Sequence, residues 1–269
     1  MILVSNIESA HSSMKLNFVE QGAGAPVILV HGMFGSLSNL GNLARCLAAS
    51  CRVISVDLRN HGDSPHQQEM DLPSMALDIA ELMDDLAITS AHFVGHSLGG
   101  KVAMQLAMNF SERVDSLVVA DIAPVNYSQK NINVINSLKY LSNVKVEDRR
   151  CADKVLANQG IEAPIRAFLL KNLRRNVQGQ FELKLNVNSI AANYEDRLVR
   201  APEGNNYLGP SLFLKGQNST YIEQSHIAII ASLFPNSSLQ VVEEAGHWLH
   251  AEKPDQFNRL VSTFIGENS

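Results

Sequence analysis

The sequence predicts an α/β protein, a mainly parallel sheet flanked by helices, with a helical cap inserted after the sixth strand. Three observations point to it. Short apolar stretches alternate with amphipathic ones of helical period, as in a parallel sheet covered on both faces. One strand-to-helix junction holds a serine between closely spaced glycines. The alternation breaks after Pro124 and resumes near residue 206. At 269 residues, 45% hydrophobic and 18% charged, the chain has a globular composition and room for one large domain or two modest ones.

Residues 15–21 alternate as a strand does, whereas 27–30 are continuously apolar, as in a buried central strand, and stop at His31-Gly32. A helix is expected over 40–48 and a strand over 52–57. Met75, Ile79, Leu82, Met83 and Leu86 fall on one helical face with acidic residues between them. Strands over 91–94 and 116–121 enclose a helix over 100–109. From Val125 the chain turns helix-rich, with Ile132, Ile135, Leu138 and Leu141 at helical spacing. Pro164 sits near a helix start, where its missing N–H costs least. A strand at 211–215, a helix near 221–234, a strand at 238–242 and a final helix from Pro254 complete the pattern. The expected division is 1–124 and 206–269 as two parts of one core, with 125–205 as the cap.

A formal net charge of −5 offers no basic face for nucleic acid. Cys46, Cys51 and Cys151 are an odd, sparse set, expected to be small buried hydrophobes in a reducing cytosol. No His/Cys cluster near them has zinc-ligand spacing. The start, Met1-Ile2-Leu3-Val4-Ser5-Asn6, lacks a basic segment and a long apolar stretch, so no signal peptide is expected. The apolar runs at 27–30 and 227–230 are too short to span a bilayer. These features predict a cytoplasmic protein with no membrane or nucleic-acid partner. Residues 1–13 carry little pattern, and Met14-Lys15-Leu16-Asn17 is a plausible alternative start.

Gly95-His96-Ser97-Leu98-Gly99-Gly100 follows a strand and opens a helix, the context of a nucleophile elbow. The turn forces Ser97 into a strained conformation, and side chains two residues either way would collide with strand and helix. A serine hydroxyl needs a base, and His247 in Glu244-Ala245-Gly246-His247-Trp248 is the best placed, directly after a strand and late in the chain. His250 is its nearest competitor. His31 ends a strand, His61 lies in a loop that suits a structural hydrogen bond, and His96 is expected to point away from the nucleophile. Two fixed donors must hold an oxyanion. One should be the N–H of Leu98; the other should come from His31-Gly32-Met33-Phe34-Gly35, after what should be the third strand. Met33 is the first choice and Phe34 the second. Arg149 and Arg150, then Lys171, Arg174 and Arg175, form two positive clusters that fit a solvated helix face or the phosphates of CoA.

Five blocks together resemble the bacterial YbfF-type esterases: His31-Gly32-Met33-Phe34-Gly35-Ser36, Asp57-Leu58-Arg59-Asn60-His61-Gly62, Gly95-His96-Ser97-Leu98-Gly99-Gly100-Lys101, Asp121-Ile122-Ala123-Pro124-Val125 and Gly246-His247-Trp248-Leu249-His250-Ala251-Glu252-Lys253-Pro254. The resemblance runs from about Lys15 to the C-terminal helix and is weakest in the cap. It implies the α/β-hydrolase fold and a serine esterase or thioesterase acting on short-chain esters and acyl-CoA thioesters, without metal or organic cofactor. Most α/β-hydrolases place the triad acid after the strand returning from the cap. Here that segment, Lys215-Gly216-Gln217-Asn218-Ser219-Thr220-Tyr221, holds no carboxylate, and Ser219 occupies the place. Asp121, at the end of the strand before the cap, is the alternative, and the resemblance implies an acid there with a serine matching Ser219. A carbon–carbon bond hydrolase, or a receptor-like protein with residual turnover, would use the same residues.

Overall fold

The computed structural model describes residues 14–269, so the reading of residues 1–13 lies outside the described residues. The first part of the core runs β1 (Phe18–Gln21), β2 (Ala25–Val30), α1 (Gly41–Leu47), β3 (Cys51–Val56), α2 (Leu72–Asp85), β4 (Ala91–His96), α3 (Leu98–Asn109) and β5 (Val114–Ala120). A long excursion follows, through α4 (Ile132–Ser142), α5 (Arg149–Asn158), α6 (Ala163–Leu169), β6 (Leu173–Arg175), β7 (Phe181–Leu183) and α7 (Val187–Asn193). The chain then re-enters the sheet as β8 (Ser211–Gly216), α8 (Ile227–Leu233), β9 (Ser237–Val242), α9 (Leu249–Glu252) and α10 (Pro254–Glu267).

The seven-stranded sheet has the order β1-β3-β2-β4-β5-β8-β9. All of its pairs are parallel except β1 with β3. The order turns back on either side of β2, and such a switch point opens a crevice at the carboxyl ends of the strands. The register lines those ends up: Val30 pairs with Gly95, Gly95 with Val119, Ala120 with Leu214 and Gly216 with Val242.

Strand alternation divides the core between the two faces. Phe93, Leu117 and Val119 pack with Met75, Ile79 and Val102 of α2 and α3. Val94, Val118 and Leu214 face the other way, against Leu43 of α1 and Phe257 and Val261 of α10. Both faces are apolar, which is why the central strands read as unbroken hydrophobic runs.

The structure corrects four expectations. The excursion follows the fifth strand, not the sixth, because a single strand, β1, precedes β2 among the described residues; the loop at His31 therefore follows the second strand. The helix-rich segment contains an antiparallel hairpin, β6 with β7, so Arg174 and Arg175 lie on a strand. Arg174 donates to Glu182 and Asp63, and Arg175 donates to the Gly179 carbonyl and covers the Phe181 ring. Finally, Cys51 is buried, but Cys46 is exposed on α1, with its sulfur 3.7 Å from the Ser262 hydroxyl, and Cys151 is half-buried. No helix among the described residues is long and apolar enough to cross a membrane.

Candidate active site

Ser97 sits between β4 and α3 with φ 51° and ψ −118°, a strained conformation that aims its side chain out of the sheet. The flanking glycines are sterically required. A Cβ on Gly95 would lie 2.3 Å from the Gly99 carbonyl oxygen, and one on Gly99 would lie 2.3 Å from that of Val30. Asp121 (φ 52°) and Phe34 (φ 62°) share the left-handed region, so backbone strain gathers at the ends of β2, β4 and β5.

Three loops bring a hydrogen-bonded line together. His247 Nε2 lies 3.0 Å from Ser97 Oγ, and His247 Nδ1 lies 2.7 Å from Asp121 Oδ2. A carboxylate only accepts, so the histidine proton sits on Nδ1 and Nε2 is left to accept from the serine. Asp121 is fully buried and accepts two further hydrogen bonds. Its Oδ1 accepts the Gly216 N–H at 3.0 Å, and its Oδ2 accepts the Ser219 hydroxyl. Ser219 Oγ in turn accepts the Tyr221 N–H at 3.2 Å. The neighbouring carboxylates Glu223 and Glu244 do not join this line: Glu223 caps the turn before α8, and Glu244 pairs with Lys253 at 2.5 Å.

Residues that pattern alone did not single out hold this line in place. The Tyr221 ring stacks on His247 with centroids 3.9 Å apart and planes 17° apart. The Tyr127 hydroxyl donates to the Tyr221 carbonyl at 2.5 Å and accepts the Ala123 N–H at 2.8 Å, tying the loops after β5 and β8. Glu252 accepts the N–H groups of Gly246 and Trp248, on either side of His247. His96, expected to point away, faces the site: its Nε2 donates to the His247 carbonyl at 2.8 Å, and its ring lies 4.8 Å from that of His247. His250 is buried against His96 instead of reaching Ser97, and burial pushes it down to about 4.

The loop after β2 has two of its amides committed. Phe34 N–H donates to His61 Nε2 at 3.1 Å, and Gly35 N–H donates to the Gly32 carbonyl at 3.0 Å. The Met33 amide has no such partner among the described residues, and Met33 and Leu98 both line a hollow at Ser97. A cavity of about 180 Å³ opens over Ser97; His247 and Met33 line it together with Val134, Ile165, Phe168 and Trp248. The chain after β5 thus supplies apolar wall to a site built on the sheet.

A parallel sheet with a strained serine elbow after a central strand and a histidine after the last one defines a hydrolase. Residues 25–254 match the alpha/beta hydrolase fold, and the chain belongs to that family. It is 36% identical to the esterase YbfF of Escherichia coli (strain K12), covering 94% of this chain and 100% of that one. It is 37% identical to the sn-1-specific diacylglycerol lipase ABHD11 of Mus musculus, covering 94% of this chain and 85% of the relative. Among solved structures, a marine microorganism esterase superposes with a TM-score of 0.89 at 35% identity, covering 94% of this chain and 100% of that one.

Proposed function

We propose that this chain is a serine hydrolase of carboxylic esters that works through an acyl-enzyme on Ser97. The observation that carries the reading is the continuous line from Ser97 Oγ through His247 to buried Asp121. Ser97 attacks the ester carbonyl while its proton passes to His247 Nε2, and Asp121 stabilises the imidazolium that forms. The amides of Met33 and Leu98 hold the oxyanion. His247 then gives the proton to the departing alcohol, and water repeats the sequence to release the acid. Ser219 steadies Asp121 and carries no proton in this scheme.

Residues 125–205 act as a cap between core parts 1–124 and 206–269, a role supported by the cap side chains that line the cavity. The relatives named esterase and lipase agree with ester cleavage. Acyl-CoA thioesters fall within the same chemistry, since a thiol departs more readily than an alcohol. The two arginine clusters do not line the cavity, so chain-length selection is assigned to its apolar wall. A panel of p-nitrophenyl esters and acyl-CoAs of increasing length tests the reading, with Ser97→Ala as control. Folded Ser97→Ala should retain only about 10³–10⁴ of acceleration over water; near-native kcat in that variant refutes the assignment.

A further inference from the structure

Ser97 borders a second, smaller chamber whose chemistry is unlike the first. Ser97, Met33, Asn131 and Tyr221 line both. His247 and Trp248 line only the apolar one. The second, about 40 Å³, is walled by Leu98, Lys101, Lys130, Tyr127 and Ser128, and no carboxylate lines it.

Lys101 stands one turn into α3 and is 2% exposed. Its ammonium donates to the Val199 carbonyl at 2.8 Å and to that of Arg200, and lies 4.9 Å from the centre of the Tyr127 ring. These partners satisfy protons but bring no negative charge. Burial pushes the amine down to about 7, with no opposing charge beside it. Lys130 lies over the Tyr221 ring at 4.8 Å and 3.2 Å from the Thr220 hydroxyl. None of the ion pairs among the described residues involves either lysine. On a chain of net charge −5, this is a local cationic chamber beside the nucleophile.

We propose that the second chamber is a carboxylate subsite for the acyl half of the substrate, so that the enzyme takes half-esters of short dicarboxylic acids. The proposal rests on the reading of Ser97 and His247 given above. The leaving group must lie by His247, which protonates it, and His247 faces only the apolar chamber. The acyl chain therefore turns the other way, past the Met33 and Leu98 amides and toward the lysines. A carboxylate there supplies the counter-charge that buried Lys101 lacks and forms charge-assisted hydrogen bonds with Lys130. The small volume limits the spacer to a few carbons.

The test compares monoethyl succinate with ethyl butanoate, which matches its acyl length without the charge, by pH-stat at pH 7. The native enzyme should favour the half-ester at least tenfold in kcat/KM. Lys130→Gln should erase that preference mainly through KM, and Lys101→Met, with its fold verified by melting, should do the same. Where ester is cleaved, absence of the preference in the native enzyme, or an equal fall for both esters in the variants, overturns the subsite. Calorimetric titration of the inert Ser97→Ala with monoethyl succinate separates the two readings, because it needs no turnover. Binding that weakens tenfold when Lys130→Gln is added upholds the subsite even if neither ester is cleaved. Ethyl butanoate cleaved, with binding indifferent to both lysines, leaves the esterase reading standing and removes the subsite.

Discussion

His61 accepts the amide proton of Phe34 at 3.1 Å, and His31, from the loop of Phe34, accepts that of Leu58 at 3.1 Å. The two rings lie 5.1 Å apart, and each holds the loop of the other. Their Nδ1 atoms donate locally, His31 to the Gly32 carbonyl at 2.7 Å and His61 to that of Arg59 at 3.0 Å. Asn60, next to His61, accepts the amide of Gln67 and the side-chain amide of Asn186, while Asn172 donates to the Phe34 carbonyl at 2.7 Å. The loop after β2 is thus held both by the sheet domain and by the excursion after β5. His61→Leu leaves a buried N–H without an acceptor, at a cost of about 1–3 kcal/mol. Where that cost falls on loop geometry, kcat should drop roughly tenfold to a hundredfold with KM little changed. His61→Gln retains an acceptor and should recover part of the loss. Steady-state kinetics of the two variants decide it, and a loss confined to KM would contradict the positioning role.

Asp121 and Ser219 contribute unequally to His247. Asp121→Asn removes the charge and permits the reversed tautomer, so kcat should fall on the order of 10³–10⁴. Ser219→Ala removes one neutral donor and should cost about tenfold, as for a bond of ~1 kcal/mol. Asp121 keeps the Gly216 amide in that variant. Both are measured at saturating substrate; a Ser219→Ala enzyme more crippled than Asp121→Asn would move the acid role away from residue 121.

Five buried histidines should make the fold sensitive to acid. Burial lowers His31, His61, His92, His96 and His250, with His61 at about 3 and His250 at about 4. Between pH 6.5 and those values the unfolded chain binds protons that the folded chain refuses. Stability is therefore fully present above 6.5 and falls as pH falls, with each histidine contributing at most about 1.4 kcal/mol per pH unit. Urea melts at pH 7, 6, 5 and 4 should show a steep decline over that window. A flat profile would mean that these rings are not held neutral.

The elbow at Ser97 was legible because its chemistry is local, with glycines, serine and the strand-to-helix change all within six residues. Asp121 was legible through a gap, since the segment around Ser219 holds no carboxylate. The stacking of Tyr221 on His247 depends on two loops meeting across strand ends, and neither loop encodes the other. The direction of His96 is set by its contact with the His247 carbonyl, which lies 151 residues away in the chain. The hairpin of β6 and β7 is not legible in the sequence, because three-residue strands give no period to read. The sequence predicts a sixth strand before the excursion where the structure has a fifth, because one strand lies ahead of β2 among the described residues.

Glu252 holds His247 from behind, and its removal is the sharpest test of how far loop geometry governs this base. Its two carboxylate oxygens accept the N–H of Gly246 at 2.8 Å and that of Trp248 at 3.1 Å, so one side chain fixes the backbone on both sides of the histidine. The next residue, Lys253, pairs with Glu244 on the same loop. Glu252 is exposed at the surface, so water can take over both amides when the carboxylate is lost. Little stability is therefore at stake, and Glu252→Ala should melt within a few degrees of the native protein. Orientation is a different matter, because water places no constraint on where the loop carries the imidazole. The 3.0 Å approach of Nε2 to Ser97 should loosen, and kcat should fall about tenfold, a barrier change of ~1.4 kcal/mol, with KM nearly constant. Glu252→Gln has a single acceptor oxygen and should lie between the two. Paired melting curves and kinetics separate the cases: a large drop in melting temperature with unchanged kcat would make Glu252 a structural cap and nothing more.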